Sequence, residues 1–228
     1  MYDSKTFKNQ LEILKDEKYR EFTKKLGIGK LEPIGIRLPQ LKSLAKELAN
    51  SNWQEFFMCE KNWCSEIITL KGLVIGYAKI DFEIFTKYLN QFFDMVESWI
   101  ETDTSAPSFK IIKKNKQQIF DLINPYLFCN QEYKTRLALI ILLDYYLTDD
   151  YIDKVLEILP NIQQGQYYVD MALAWILSVC FVKYRDKTIQ LFECKRFSKF
   201  VQNKAIQKCR ESFRISQQDK ELLKQYKL

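Results

Sequence analysis

An all-α fold is predicted from three observations. Leu, Ile, Lys and Glu are abundant, while only six Gly and five Pro occur in 228 residues, too few turn formers for an all-β chain. Apolar residues recur at helical spacing in segment after segment, separated by short polar breaks. Nothing alternates with a period of two for long enough to suggest a sheet.

The first helix is expected over 4–26, capped by Ser4. The loop GIGKLEPIGIRLP (27–39) leads to a second helix that begins at or after Pro39 and carries LKSLAKELA, proline being tolerated in a first turn. Helices follow over 53–60, 63–79, 81–93 and 94–102. After a Ser/Ala/Pro break the pattern resumes over 107–128, as one helix or two. The remaining helices are expected over 131–147, 149–159, 167–184, 186–194, 198–212 and 216–226. Asn52, Asp81, Asp149 and Ser216 suit N-cap positions. The length fits one large globular domain or two small ones, and the unbroken helical series reads as a single domain over 1–228.

Helices of this length joined by short loops suggest stacked antiparallel pairs. Trp99, Arg136 and Trp175 are 37 and 39 residues apart, close to the roughly 40-residue period of HEAT-type pairs. Such spacing places them on equivalent turns of successive units, and in a solenoid equivalent turns line one concave surface. Coincidence among four tryptophans and many arginines is the competing reading.

Composition excludes several functions. The N-terminus, MYDSKTFKNQLEILKDEKYREF, is charged throughout and is neither a signal peptide nor a transit sequence, so a cytoplasmic location is expected. The run VDMALAWILSVCFV (169–182) contains Asp170, is too short to cross a bilayer and reads as a buried core helix. Six cysteines at 59, 64, 129, 180, 194 and 209 form no CxxC pair, and there is no histidine. The usual zinc sets are therefore out of reach, no metal site is expected, and the thiols are read as reduced and mostly buried. GxxxxGK[ST], GxGxxG and GxSxG are all absent, so phosphate-loop and hydrolase-elbow chemistry lack support, and no small-molecule cofactor is expected.

The net charge of +6 is unevenly placed, for residues 183–228 hold 13 Lys/Arg against 5 Asp/Glu. A second basic cluster, KIIKKNK at 110–116, contains Lys110 and Lys113. Such patches attract polyanions or are simply solvated helix faces.

Several side chains stand out. In SWIETDTSAP (98–107) Trp99 closes a helix-like stretch and Asp103 follows four residues later. Arg136 opens the apolar helix YKTRLALIILLDYYL, where it needs an anionic partner or a route to water: an ion pair with Asp103 or Glu132, or a phosphate. Trp53 and Trp63 read as core. Tyr145, Tyr146, Tyr167 and Tyr168 either stack on a ligand or pack. Arg37 is a contact for a polyanion or an anchor for the N-terminal turn. No lysine sits in an apolar setting that would clearly lower its pKa, as a Schiff-base nucleophile requires.

Six segments in order, GIRLPQLKSLAKELA, EIITLKGLVIGYAK, SWIETDTSAPSFKIIKKNK, YKTRLALIILLDYYL, YYVDMALAWILSVCFVKY and NKAIQKCRESFRIS, resemble the DNA alkylation repair family of HEAT-like-repeat alkylpurine DNA glycosylases. The resemblance implies a right-handed superhelix (solenoid) of HEAT-like antiparallel helix pairs with a concave DNA-binding face. It implies double-stranded DNA containing alkylated purines as partner, no cofactor, and a monomer. By position it makes Asp103 the catalytic aspartate, Trp99 and Trp175 the active-site aromatics, and Arg136 a backbone contact; Lys110 and Lys113 of the basic cluster, and Arg37 if it is not an anchor, are then read as further DNA contacts. Asp170 stands where many relatives carry a basic residue, and Thr102 replaces a common small cysteine.

The implied chemistry explains the missing histidine. An N3- or N7-alkylated purine such as 3-methyladenine or 7-methylguanine is already cationic and leaves without protonation. Positive charge then builds on the deoxyribose, where a carboxylate and tryptophan faces stabilise it. The implied enzyme is a monofunctional glycosylase that grips the backbone, with no dedicated wedge loop for base flipping. The alternative is a catalytically silent HEAT-repeat module that binds branched or damaged DNA, or a protein partner.

Overall fold

A computed structural model of the chain describes residues 3–26 and 29–228; Gly27 and Ile28, the first residues of the expected loop, lie outside that set. The described residues form fourteen α-helices and no strand, an all-helical arrangement compatible with helical repeats. The chain divides into two compact units, Met1–Asn115 and Lys116–Leu228.

The first unit contains α1 (Ser4–Ile13), α2 (Glu17–Lys25), α3 (Leu38–Ala49), α4 (Trp53–Cys59), α5 (Ser65–Tyr77), α6 (Phe82–Met95) and α7 (Trp99–Ser105), followed by two 3-10 turns, Ala106–Ser108 and Lys110–Lys114. Its centre is α5, buried from Ser65 through Ile75, with α3, α6 and α7 packed on it. A helix with no polar face is stable only when its neighbours cover it on all sides. Phe56, Phe57, Phe85, Phe92 and Phe109 complete this core.

The second unit contains α8 (Lys116–Leu127), α9 (Glu132–Tyr145), α10 (Ile152–Ile158), α11 (Tyr167–Lys183), α12 (Arg185–Glu193), α13 (Lys199–Glu211) and α14 (Gln217–Leu222). Here α9 and α11 are the apolar centre, and α11 packs against both α9 and α13. No helix of the described residues is long and apolar enough to cross a membrane.

Several expected boundaries move, each for a local reason. The expected 4–26 helix is two helices, because Asp16 accepts from the Tyr19 amide at 3.0 Å and starts a new one. The first cap is Asp3, which accepts from the Lys5 and Thr6 amides, not Ser4. The expected 94–102 helix begins at Trp99 and runs to Ser105, so Asp103 lies inside a helix and not beyond its end. Residues 106–114 form 3-10 turns around Pro107, with Ser108 Oγ donating to the Ser105 carbonyl at 2.6 Å. Asp81 and Ser216 cap α6 and α14 as expected. Asn52 precedes α4 without a capping bond. Asp149 caps nothing, since α10 starts three residues later, and instead accepts from the Tyr184 hydroxyl at 2.9 Å.

All six cysteines are free thiols. Cys64, Cys180 and Cys209 are buried, and burial pushes the last two thiols up to about 12. Cys129 is half-buried, and Cys59 and Cys194 are exposed because they terminate α4 and α12 at the surface. The expectation of mostly buried thiols holds for only three of the six.

Candidate functional site

The short helix α7 carries Trp99 and Asp103 one turn apart. Two features fix it. A capping box closes its N-terminus: the Glu101 amide donates to Ser98 Oγ, and Glu101 Oε2 accepts from the Glu97 and Ser98 amides at 2.7 and 3.1 Å. Glu101 is only 1% exposed. Burial raises its carboxyl to about 7, outweighing the hydrogen bonds that favour the anion. The S-x-x-E pattern that announces such a box is legible in SWIE.

The second feature is close approach. Gly72 and Gly76 stand one turn apart on α5, and a Cβ on either would overlap Ser105 Oγ or Ser108 Oγ. These two glycines let α7 and the turn after it lie directly against α5, so the helix bearing Asp103 is seated on backbone.

On that helix Trp99 and Asp103 are both half-buried. The Thr102 hydroxyl lies 2.8 Å from Asp103 Oδ1 and 3.0 Å from the Trp99 carbonyl, sharing its proton between them and holding the carboxylate beside its own helix. Trp99, Ile100 and Thr104 line a cleft of about 210 Å³ together with Tyr19, Leu38 and Leu41. Directly after α7, Lys110 and Lys113 project into solvent from the second 3-10 turn.

Arg37 lies in a loop that is clamped from α5. The buried Glu66 carboxylate accepts from the amides of Ile34, Gly35 and Ile36 at 2.8–3.3 Å. Gly35 is required there, with φ +89 and the Asp16 carbonyl where a Cβ would sit. Arg37 itself pairs with Asp16 at 2.7 Å and stacks over Tyr19. The Asp16 carboxyl is held below its usual value by the Tyr19 amide and by Arg37. Arg37 is thus an anchor with an exposed guanidinium. Nothing in the local sequence announces Glu66 as the clamp.

Lys71 corrects the expectation that no lysine sits in an apolar setting. It is 3% exposed on α5, beside the Phe57 ring, and its pKa is lowered by desolvation. Its ammonium donates to the Glu60 carbonyl and Asn62 Oδ1 at 2.7 and 2.8 Å. Two of its three protons therefore hold the α4–α5 loop.

In the second unit, Arg136 is 6% exposed and donates to the Tyr168 carbonyl at 2.6 Å. Trp175 is 36% exposed on α11. Together with Val179, Val182, Lys208, Glu211 and Arg214 it lines a cleft of about 260 Å³. The common spacing of Trp99, Arg136 and Trp175 does not become a common turn. They are the first residue of α7, the fifth of α9 and the ninth of α11, each one turn further in. Helix starts drift against the numbering because the intervening elements differ in length.

Asp170 turns inward at 5% exposure, both its oxygens accepting from the Gly165 amide, and burial raises its pKa. Tyr145 and Tyr146 are core, the latter donating to the Lys116 carbonyl, whereas Tyr167 is exposed. Trp53 is core, and Trp63 is half-buried with its Nε1 on Glu60.

A family model described as DNA alkylation repair enzyme matches residues 7–208. No curated protein and no solved structure matches the chain.

Proposed function

Because the chain belongs to the DNA alkylation repair enzyme family, we propose that it is a monofunctional DNA glycosylase hydrolysing the N-glycosidic bond of cationic N3- and N7-alkylated purines in duplex DNA. Membership itself points to repair of alkylated DNA. The observation that carries the finer reading is the pairing of Trp99 and Asp103 on one seated turn of α7, with exposed Lys110 and Lys113 immediately after it.

In the proposed reaction the C1′–N bond breaks and its electron pair neutralises the purine cation. Water then adds to C1′ and loses its proton to solvent or to Asp103. The Asp103 carboxylate stabilises the sugar cation by Coulomb attraction, the largest contribution of this kind that a site can make. The indoles of Trp99 and Trp175 add cation–π contacts of roughly 0.5–2 kcal/mol each. Thr102, by holding Asp103 Oδ1, keeps the carboxylate from rotating away. Lys110, Lys113, Arg37 and Arg136 are assigned to phosphates; Arg37 exchanges its exposed Asp16 partner at little cost, whereas Arg136 must leave a carbonyl. The engaged ammonium of Lys71 supports hydrolysis over Schiff-base chemistry. The reading also takes the helices as a right-handed solenoid with a concave DNA-binding face, which X-ray scattering with and without a duplex tests.

Purified protein is expected to release 7-methylguanine from methylated duplex DNA, and Asp103→Asn to lower the rate about a hundred-fold. No release above the spontaneous rate, with binding to branched DNA unchanged in Asp103→Asn, would leave the silent module in its place.

A further inference from the structure

The turn between α13 and α14 displays Phe213 with its whole surface in water, the most exposed large apolar side chain among the described residues. Some exposed rings have ring neighbours: Tyr167 lies edge-on to Tyr168 at 5.1 Å and near Phe200 at 6.1 Å. Phe213 has no such contact. Yet its turn is held in place. The Ser212 amide donates to the Cys209 carbonyl, the Arg214 amide to Ser212 Oγ, Ile215 is buried and Ser216 caps α14. The backbone that carries the ring is fixed, so a partner has only the side chain left to order.

The surroundings define that partner. Ser212 and Arg214, on either side of Phe213, line the cleft that also holds Trp175 and Lys208. Lys208, Arg210 and Arg214 form no close ion pair among the described residues; Glu211 lies in the same cleft, accepting from Gln207 Nε2, and Glu221 interacts electrostatically with Arg210. Lys208 and Arg214 at that cleft, beside an exposed ring, still suit a polyanion with flat apolar faces. Base stacking on aromatic side chains supported by a basic surface is how unpaired strands are held.

We propose that Phe213 is a stacking platform for a nucleobase that has left its own stack, with Lys208, Arg210 and Arg214 on the flanking phosphates. It supplies the wedge that the sequence did not announce, and it rests on the DNA-binding part of the reading above. The test uses the full chain with a duplex carrying a single-nucleotide gap, 2-aminopurine beside the gap, and the same duplex intact. Wild type is expected to quench the fluorophore and to prefer the gapped duplex. Phe213→Ala loses the quenching and about ten-fold in affinity for the gapped duplex alone, Phe213→Trp restores both, and Arg214→Ala weakens both duplexes alike. Equal quenching and affinity in Phe213→Ala overturn the inference. So does a Phe213→Ala chain that keeps its DNA behaviour but loses self-association by ultracentrifugation, which would make the ring a contact between copies. Failure to bind either duplex at low salt sinks the DNA-binding reading as well; binding without quenching sinks this inference alone, and 7-methylguanine release judges the glycosylase separately.

Discussion

The two tryptophan-bearing helices are positioned in opposite ways. The seven-residue α7 is too short to be stable alone; a capping box sets its start and two glycines of α5 set its depth. The seventeen-residue α11 takes no cap from its own N-cap residue, Gln166; Glu132 of α9 accepts from its Tyr168 amide at 2.8 Å, and its neighbours bury nearly every turn of it. Bonds within its own segment fix the start of one helix, and packing with a bond from another helix fixes the other. On the proposed reading, a carboxylate that must stay close to a developing charge gains more from the first method, while a broad indole face tolerates the second.

That contrast breaks first at the groups proposed to react. Asp103→Asn is the largest expected loss, about a hundred-fold in base release with the melting temperature unchanged. Trp175→Ala should cost no more than roughly thirty-fold, the upper end of a cation–π contact. Equal losses would mean that the indole does more than offer a face.

Packing sharpens the comparison next. Gly72→Ala drives a methyl into Ser105 and is expected to destabilise the chain by about 1–3 kcal/mol in urea unfolding, with base release falling because α7 is displaced. Capping is smaller: Ser98→Ala should cost about 1 kcal/mol, whereas Gln166→Ala at the start of α11 should stay within about 0.5 kcal/mol. A large effect at Gln166 would show that α11 depends on its end after all.

The smallest effect is a slope with pH. The Glu101 carboxyl sits at about 7 in the folded chain because burial disfavours its charge. Its proton binds more tightly folded than unfolded, so its contribution to stability is complete below the ordinary carboxylate range and is lost as pH rises through about 7. Glu101→Gln cannot ionise. Its melting temperature should therefore climb relative to wild type between about pH 5 and 8, and a flat difference would show that the carboxyl titrates normally.

Much of the fold was legible because apolar spacing reports which face a helix buries, and α5, α9 and α11 bury nearly all of theirs. Breaks were less legible where one residue serves two elements, as Asp16 does in capping α2 and pairing with Arg37. In the site, SWIETD announced the pairing of Trp99 with Asp103, although it placed the aspartate beyond the helix rather than within it. Lys71 and Glu66 were illegible, since their roles depend on backbone groups that folding brings to them from up to 32 residues away. Arg136 was read as needing a partner, but a carbonyl 32 residues downstream leaves no trace in the sequence.

The uneven exposure of the thiols has a practical consequence. Cys59 belongs to the first unit and Cys194 to the second, and both face solvent, while burial keeps the thiols of Cys64, Cys180 and Cys209 protonated and unreactive. With Cys129 replaced by serine, maleimide dyes would attach at one point on each half without any cysteine being introduced. Energy transfer between them would then report, in a single native-like molecule, whether the distance between the dyes changes when alkylated DNA is added.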